Sequence, residues 1–305
     1  MNILFSSDDN YARHMGVAML SILQHNLDVE RIHFYVVNNH ISPSNIKKLE
    51  SIIEDFNNAE LMFIPFEHFE KRLHLNLAWP ISLSSYARLF IGEILPEEVE
   101  RVLYLDCDII VNGSLLELYN TDLNSKCLGA IQDTIPSKTK ASVGLYSGQP
   151  YFNAGVLLID MIRWRHLCVG KKCLNYIESH LGRVVHHDQG VLNAVLKDLW
   201  VRLPLRYNVM TIHYMMSQSK IKKYFKDEAM FYSRDETIAA IKEPIILHFT
   251  PSFTSRPWET NCSHPMKYLY NHLLNLTQWK DFPPINDRSP WYVRLINYRF
   301  RFFPF

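Results

Sequence analysis

Residues 101–108 read Arg101-Val102-Leu103-Tyr104-Leu105-Asp106-Cys107-Asp108. A short run of aliphatic and aromatic side chains, of strand length, is stopped by an acidic triplet, and runs of this kind mark strands buried on both faces. Three similar runs precede it, at Asn2–Phe5, Ile32–Val37 and Leu61–Ile64. Between the first two, Met15, Ala18, Met19 and Ile22 repeat with helical spacing. After the second, Ser42-Pro43 offers a cap and a first-turn proline, and Ile46, Leu49, Ile53 and Phe56 mark one helix face. Strand alternating with helix is the pattern of βαβ units. The expected fold class is therefore α/β, Rossmann-like, with a mostly parallel, doubly wound central sheet.

Working outward, apolar runs at Leu128–Ile131, Gly155–Ile159 and Ile245–Phe249 read as added strands, with helical patterns over Ile162–Leu181 and Gly190–Leu199. With 305 residues, 48% of them hydrophobic, the chain can bury one large core. No linker or repeat interrupts it before about residue 250, whereas Pro251, Pro257, Pro265, Pro283, Pro284 and Pro290 break the texture afterwards. The expected organisation is a catalytic domain over 1–260 and a C-terminal extension over 261–305. Thirty-two basic against thirty-one acidic residues, a net charge of +1, exclude a surface given over to neutralising nucleic-acid phosphates. The N-terminus lacks the pattern of a signal peptide and no apolar run is long enough for a bilayer, so the chain is expected in the cytoplasm. Its five cysteines, without paired spacing, read as reduced thiols, Cys168 and Cys173 as packing residues of one helix.

Ligands of open α/β sheets bind outside the carboxyl ends of the strands. The first strand is followed by Ser6-Ser7-Asp8-Asp9-Asn10-Tyr11, the strand at 101–105 by Asp106-Cys107-Asp108, and the run at Ile245 by His248. Two apart in an extended segment, Asp106 and Asp108 face the same way, and two carboxylates attract a hard divalent cation whose shell a diphosphate completes. Without such a partner they are two solvated acids in a turn. An imidazole at His248 would suit Mn²⁺ better than Mg²⁺; taken alone it reads equally as a core histidine bonded to a carbonyl. Asp8, Asp9 and Asn10 could read a uracil edge or cap the helix that follows. The remaining thirteen histidines, His186-His187 included, show no ligand spacing. Gly-rich phosphate loops are absent, which argues against dehydrogenases and P-loop kinases.

Together these segments resemble the retaining glycosyltransferases of family 8, which include glycogenin and bacterial lipopolysaccharide galactosyl- and glucosyltransferases. The resemblance rests on Ser7-Asp8-Asp9-Asn10-Tyr11, Ser85-Tyr86-Ala87-Arg88-Leu89, Val102 to Asp108, Tyr151-Phe152-Asn153-Ala154-Gly155-Val156-Leu157-Leu158, His187-Asp188-Gln189, and His248-Phe249 with Pro257-Trp258. It implies the glycosyltransferase A fold, with Asp106, Asp108 and His248 on Mn²⁺ (Mg²⁺ next) and Asp8, Asn10 and Tyr11 on the uridine of a UDP-hexose. It also places Arg88, Asn153, Asp188 and Gln189 on the donor hexose, with Cys107 and Ala154 beside the donor and Asp133 as a further sugar-contacting acid. Retention of the α-linkage is implied, galactose ahead of glucose, onto a saccharide or glycolipid acceptor of a cell-surface glycan. An amide at Gln189, where a covalent route needs a carboxylate, favours front-side displacement, with Asp188 the other candidate nucleophile. The chain departs from the family after His248: Thr250-Pro251 occupies the usual glycine position, and Arg256 stands where lysine is common, keeping the charge a diphosphate needs. A metal-dependent UDP-sugar hydrolase and a silent UDP-sugar binding protein are the alternatives.

Two segments carry further expectations. Leu77-Ala78-Trp79-Pro80 lies where acceptor contacts would fall. The tail from Arg288 mixes Trp291, Tyr292, Tyr298, Phe300, Phe302, Phe303 and Phe305 with Arg294, Arg299 and Arg301, which suits peripheral contact with an anionic membrane.

Overall fold

The structure is a computed structural model that describes residues 1–76, 82–146, 148–226, 232–251 and 253–286. The Leu77-Ala78-Trp79-Pro80 segment and the tail from Arg288 lie outside the described residues.

Ten strands order the chain: β1 (Asn2–Asp8), β2 (Ile32–Asn39), β3 (Ala59–Pro65), β4 (Arg101–Leu105), β5 (Ile109–Val111), β6 (Leu128–Gln132), β7 (Phe152–Asp160), β8 (Trp200–Arg202), β9 (Val209–Met210) and β10 (Ile246–His248). Seven form a central sheet in the order β3-β2-β1-β4-β7-β6-β8. All its pairings are parallel except those of β7, which runs against both β4 and β6. Alternating residues serve two layers, because successive side chains of a strand point to opposite faces. Ile3, Phe5, Leu103 and Leu105 pack with the helix Ala12–His25 on one face. Leu4, Val102 and Tyr104 pack with Phe90 and Trp164 on the other. Two-sided burial is why these strands read as nearly continuous apolar runs.

Three sequence expectations are corrected. The run Ile245–Phe249 does not extend the central sheet; β10 is the middle of a second sheet, antiparallel to β5 and parallel to β9. The pattern Ile162–Leu181 divides into helices Met161–His166 and Val169–Ser179, because Cys168 takes a left-handed φ of 52° between them. Cys168 is therefore exposed, while Cys173 is buried as expected. The helix expected from Gly190 spans His187–Leu196, so Asp188 and Gln189 lie in its first turn.

Part of the 261–305 segment lies on the sheet domain. The helix Lys267–Asn275 packs against Ala12–His25, where Tyr270 Oη meets His14 Nδ1 at 2.6 Å. Trp279 donates Nε1–H to Asn45 Oδ1 at 3.1 Å, and its ring fills the space over Gly16, where a Cβ would come within 2.6 Å of it. Among the described residues, no helix is long and apolar enough to cross a membrane.

Candidate active site

The acidic triplet bridges the two sheets. Asp106 N–H donates to Gly155 O at 2.8 Å, tying the end of β4 to β7, and β5 begins immediately after Asp108. Because β10 pairs with β5 in the register His248 to Ile109, an imidazole 140 residues away in sequence arrives beside both acids. His248 Nε2 lies 3.1 Å from Asp108 Oδ1 and 3.8 Å from Asp106 Oδ2. One ligand atom from each of the three groups falls within 4.8 Å of the others. Neighbouring ligands on an ion with bonds of about 2.1 Å lie roughly 3 Å apart, so these residues fit a divalent cation without rearrangement of the backbone.

The electrostatics agree with that assignment. Burial opposes the charge on Asp108, but His248 and Arg256 override it and hold its carboxyl down at about 2. Burial likewise opposes the imidazolium of His248, and Asp108 and Asp106 outweigh it and raise its affinity for a proton. Burial lifts Asp106 above the usual carboxylate range despite Arg88. A cation between the three would relieve the repulsion that burial intensifies. Gly155 is part of this cradle: a Cβ there would meet His248 Cε1 at 2.3 Å and Asp106 Oδ2 at 2.8 Å.

Behind the acids sits Arg88, buried on the 3-10 helix Leu83–Phe90. Its Nη2 donates to Asp106 Oδ1 at 2.8 Å, its Nε pairs with Asp188 Oδ2 at 2.9 Å, and its Nη1 donates to Ala154 O. The guanidinium lies over the ring of Tyr104, whose Oη donates to Asp106 Oδ1 at 3.1 Å. Its charge is thus spent largely on orienting two carboxylates.

Asn193 binds both the N–H and the C=O of Phe152 at 2.9 Å, locking the helix His187–Leu196 to the start of β7. Gln189 is held in consequence. Its Oε1 accepts Ala154 N–H at 2.9 Å and its Nε2 donates to Asp133 Oδ2 at 2.8 Å. Asn153 Nδ2 donates to the same Asp133 oxygen at 3.1 Å.

Two cavities meet at this cluster. One, of about 470 Å³, is lined by Asp8, Tyr11, Ser84, Arg88, Cys107 and Asp188 among others. The second, of about 590 Å³, is lined by Asp133, Ile135, Asn153, Gln189, Met210 and Phe225 among others. Asp106, Asp108 and Arg256 belong to both. Arg256 Nε lies 3.5 Å from Asp108 Oδ2, while its own backbone N–H is pinned to Glu259 at 2.7 Å. Trp258 stacks on His14 with ring centroids 3.8 Å apart. Asp8 Oδ1 accepts Tyr11 N–H at 3.1 Å, as a turn before a helix requires. Asp9 points away to brace Ser42 N–H and Asn45 at 2.8 and 2.7 Å, and Asn10 is exposed on the turn.

Comparison with known proteins decides the family. The sequence profile of Glycosyl transferase family 8 matches residues 2–262. The chain belongs to this family. General stress protein A of Bacillus subtilis is 30% identical, over 94% of this chain and 98% of that protein. A lipopolysaccharide 1,2-glucosyltransferase of Escherichia coli K12 is 25% identical, over 95% of this chain and 82% of that one. The crystal structure of the galactosyltransferase LgtC with donor and acceptor sugar analogues superposes with a TM-score of 0.75 at 27% identity, covering 97% of this chain and all of LgtC. The mixed seven-stranded sheet is thus the glycosyltransferase A fold of this family 8 chain.

Three residues of the site receive no role from the sequence, although two of them, Tyr104 and Tyr151, lie within segments that carry the family resemblance. Tyr104 reads as a strand residue, yet it touches Asp106. Tyr151, fully buried, meets at 2.8 Å the Nδ1 of His186, which lines the larger cavity with Gln189. Asn208, fully buried, meets His248 Nδ1 at 2.9 Å. Their roles follow from non-local packing, for which no spacing rule exists.

Proposed function

We propose that this family 8 glycosyltransferase moves a hexose from a UDP-hexose to a saccharide acceptor with retention of the α-linkage, using a divalent cation, Mn²⁺ first, at Asp106, Asp108 and His248. The observation that carries this reading is the position of the acid cluster at the meeting of two cavities. A hydrolase needs one binding cavity and a water; a transferase needs a second for its acceptor. The larger cavity would take the donor hexose against polar Asp133, Asn153 and Gln189 and leaves apolar Ile135, Met210 and Phe225 for an acceptor ring.

When bound, the cation would neutralise the charge of the leaving diphosphate. The chain's own residues supply the rest. Arg256, cationic at the rim of both cavities, is placed to pair with phosphate oxygens, while Asp8 and Tyr11 line the end where the uridine would lie. Gln189 and Asp133 would hold the hexose through its hydroxyls. Both polar atoms of Gln189 are committed to neighbours and it carries no nucleophilic oxygen anion. Asp188 is buried and paired with Arg88. This supports front-side displacement, in which the acceptor hydroxyl attacks the face the diphosphate leaves and gives its proton to a phosphate oxygen. Galactose is favoured over glucose as the donor sugar, a glycolipid or surface glycan as acceptor, and the basic, aromatic tail as a peripheral membrane contact, which deletion of residues 288–305 tests by liposome partition.

The deciding experiment measures UDP release with Mn²⁺ across a panel of UDP-hexoses, with and without galactosyl and glucosyl acceptors, for the wild type and Asp108→Ala. Acceptor-stimulated release from one donor, lost in the variant, is the expected result. Release indifferent to acceptor would turn the reading to a hydrolase, and UDP binding without release to a silent binding protein.

A further inference from the structure

Asn208 sits between the single 3-10 turn Leu205–Tyr207 and β9, and none of its surface is exposed. The parallel pairing of β9 with β10 sets Met210 opposite His248, which brings the Asn208 side chain against the ring. Its two amide atoms are both used: one is 2.9 Å from His248 Nδ1, the other 2.9 Å from Asn153.

Which atom faces which is settled by a group that cannot be turned round. The backbone N–H of Gly155 can only donate, and it donates to the Asn153 side chain at 2.9 Å, so that atom is Oδ1. The Asn153 nitrogen then faces Asp133 Oδ2, an acceptor, at 3.1 Å. The Asn208 atom in contact with Asn153 Oδ1 must donate, so it is Nδ2. Its Oδ1 is left facing His248 Nδ1, which must carry a hydrogen. With Nδ1 holding its hydrogen there, Nε2, which faces Asp106 and Asp108, is the ring nitrogen left to give its lone pair to a cation, which would displace the proton Nε2 otherwise shares with Asp108.

We propose that Asn208 is the positioning residue that joins the two halves of the site. Its oxygen selects the tautomer of His248 that can take a cation, and its nitrogen holds Asn153 in the orientation that serves Asp133 and, through Asp133, Gln189. The inference rests on the metal reading of Asp106, Asp108 and His248. It adds that metal binding and sugar positioning depend on one buried amide that touches neither metal nor substrate.

Two substitutions separate its functions. Asn208→Asp keeps an acceptor for His248 Nδ1–H but sets a carboxylate against Asn153 Oδ1. Asn208→Leu keeps the size and removes both bonds. Mn²⁺ uptake is followed by loss of the free-ion EPR signal in protein mixed with UDP, with UDP alone as blank. Turnover of UDP-galactose and UDP-glucose is measured at saturating Mn²⁺, and folding is checked by thermal melting. Asn208→Leu should weaken Mn²⁺ uptake by about 10- to 100-fold, the usual effect of losing the partner of a ligating histidine. Asn208→Asp should bind Mn²⁺ within about threefold of wild type yet lose at least about tenfold in turnover, a split that a merely structural role would not produce. Equal metal uptake by Asn208→Leu and wild type overturns the proposal, as does loss of uptake in Asn208→Asp as severe as in Asn208→Leu. Should Asn208→Leu fail to fold, Asn208→Asp decides alone by the same split. A wild type that takes up no Mn²⁺ beyond the UDP blank sinks the metal reading itself, and the inference with it.

Discussion

Replacing Gly155 by alanine adds one methyl group at the most constrained point of the site. The new Cβ would lie 2.3 Å from His248 Cε1 and 2.8 Å from Asp106 Oδ2, whereas ordinary contact begins at 3.4 Å. Restoring contact to the ring requires 3.4 − 2.3 = 1.1 Å of movement. The strand cannot supply it, because Gly155 bonds through its N–H to Asn153 and through its C=O to Asp106 N–H, and Ala154 is held by Gln189 and Arg88. The imidazole and the Asp106 carboxylate must yield instead. Ligand distances tolerate only about 0.2 Å, and a misplacement of about 1 Å commonly costs 10²-fold in rate. Overpacking of this kind costs about 1–3 kcal/mol in stability. Gly155→Ala should therefore melt only a few degrees lower while losing at least about 10²-fold in Mn²⁺-dependent UDP release. Gly16→Ala is the control, since its Cβ would press on Trp279 and Ile52, which line neither cavity; it should melt lower with unchanged turnover. Turnover of Gly155→Ala within threefold of wild type at saturating Mn²⁺ would refute the placement of His248 and Asp106 around one cation.

Arg88→Met should leave Asp106 and Asp188 without their counter-charge in a buried site, costing about 3–5 kcal/mol, and chemical denaturation will read it; a loss under 1 kcal/mol would show that the pair is not buried as described. Burial pushes His213 down to about 4, despite its bond to Met210 O, and His264 down to about 3. Both stay neutral in the fold while the unfolded chain protonates near 6.5, so the unfolded state binds more protons below that pH. Stability is whole above about 6.5 and falls on acidification toward the folded values, by up to about 1.4 kcal/mol per pH unit for each ring. Melting between pH 7 and 5 should show this slope, reduced in His264→Asn; an unchanged slope would remove His264 from the account. Gln189→Ala, which frees Asp133 and Ala154 N–H, should lower kcat by about 10- to 100-fold with a smaller change in KM for the donor. If a glycosyl adduct on Asp188 were isolated from that variant or the wild type, front-side displacement would have to be abandoned.

Much of the site was legible in the sequence because its parts sit at strand ends. Asp8, Asp106 and Asp108 follow apolar runs that could only be strands, and the two-residue spacing of the acids aims them together. Reading each acid alone left a solvated or capping role equally open, and the structure divides those roles within one turn: Asp8 lines the cavity while Asp9 braces Ser42 and Asn45. Without the family resemblance, Arg88 could not be distinguished in the sequence from a solvated helix residue. Its burial depends on the helix Leu83–Phe90 lying against β1 and β2, a contact that leaves no trace in local spacing.

The order of strands and helices, the two-sided burial of the central strands, the acid pair and the family were determined by the sequence, since hydrophobic period and short motifs are local properties of a chain. Tertiary structure alone decided one strand's direction and another's sheet. β7 runs antiparallel, so Asn153, Ala154 and Gly155, at its amino end, lie at the same edge as the carboxyl end of β4. β10 joins β5 and β9 instead of the central sheet, and only that pairing delivers His248 to the acids and Asn208 to His248. An apolar run carries the same period whichever neighbour it pairs with and whichever way it points; the choice is made by the burial and hydrogen bonding of the whole sheet.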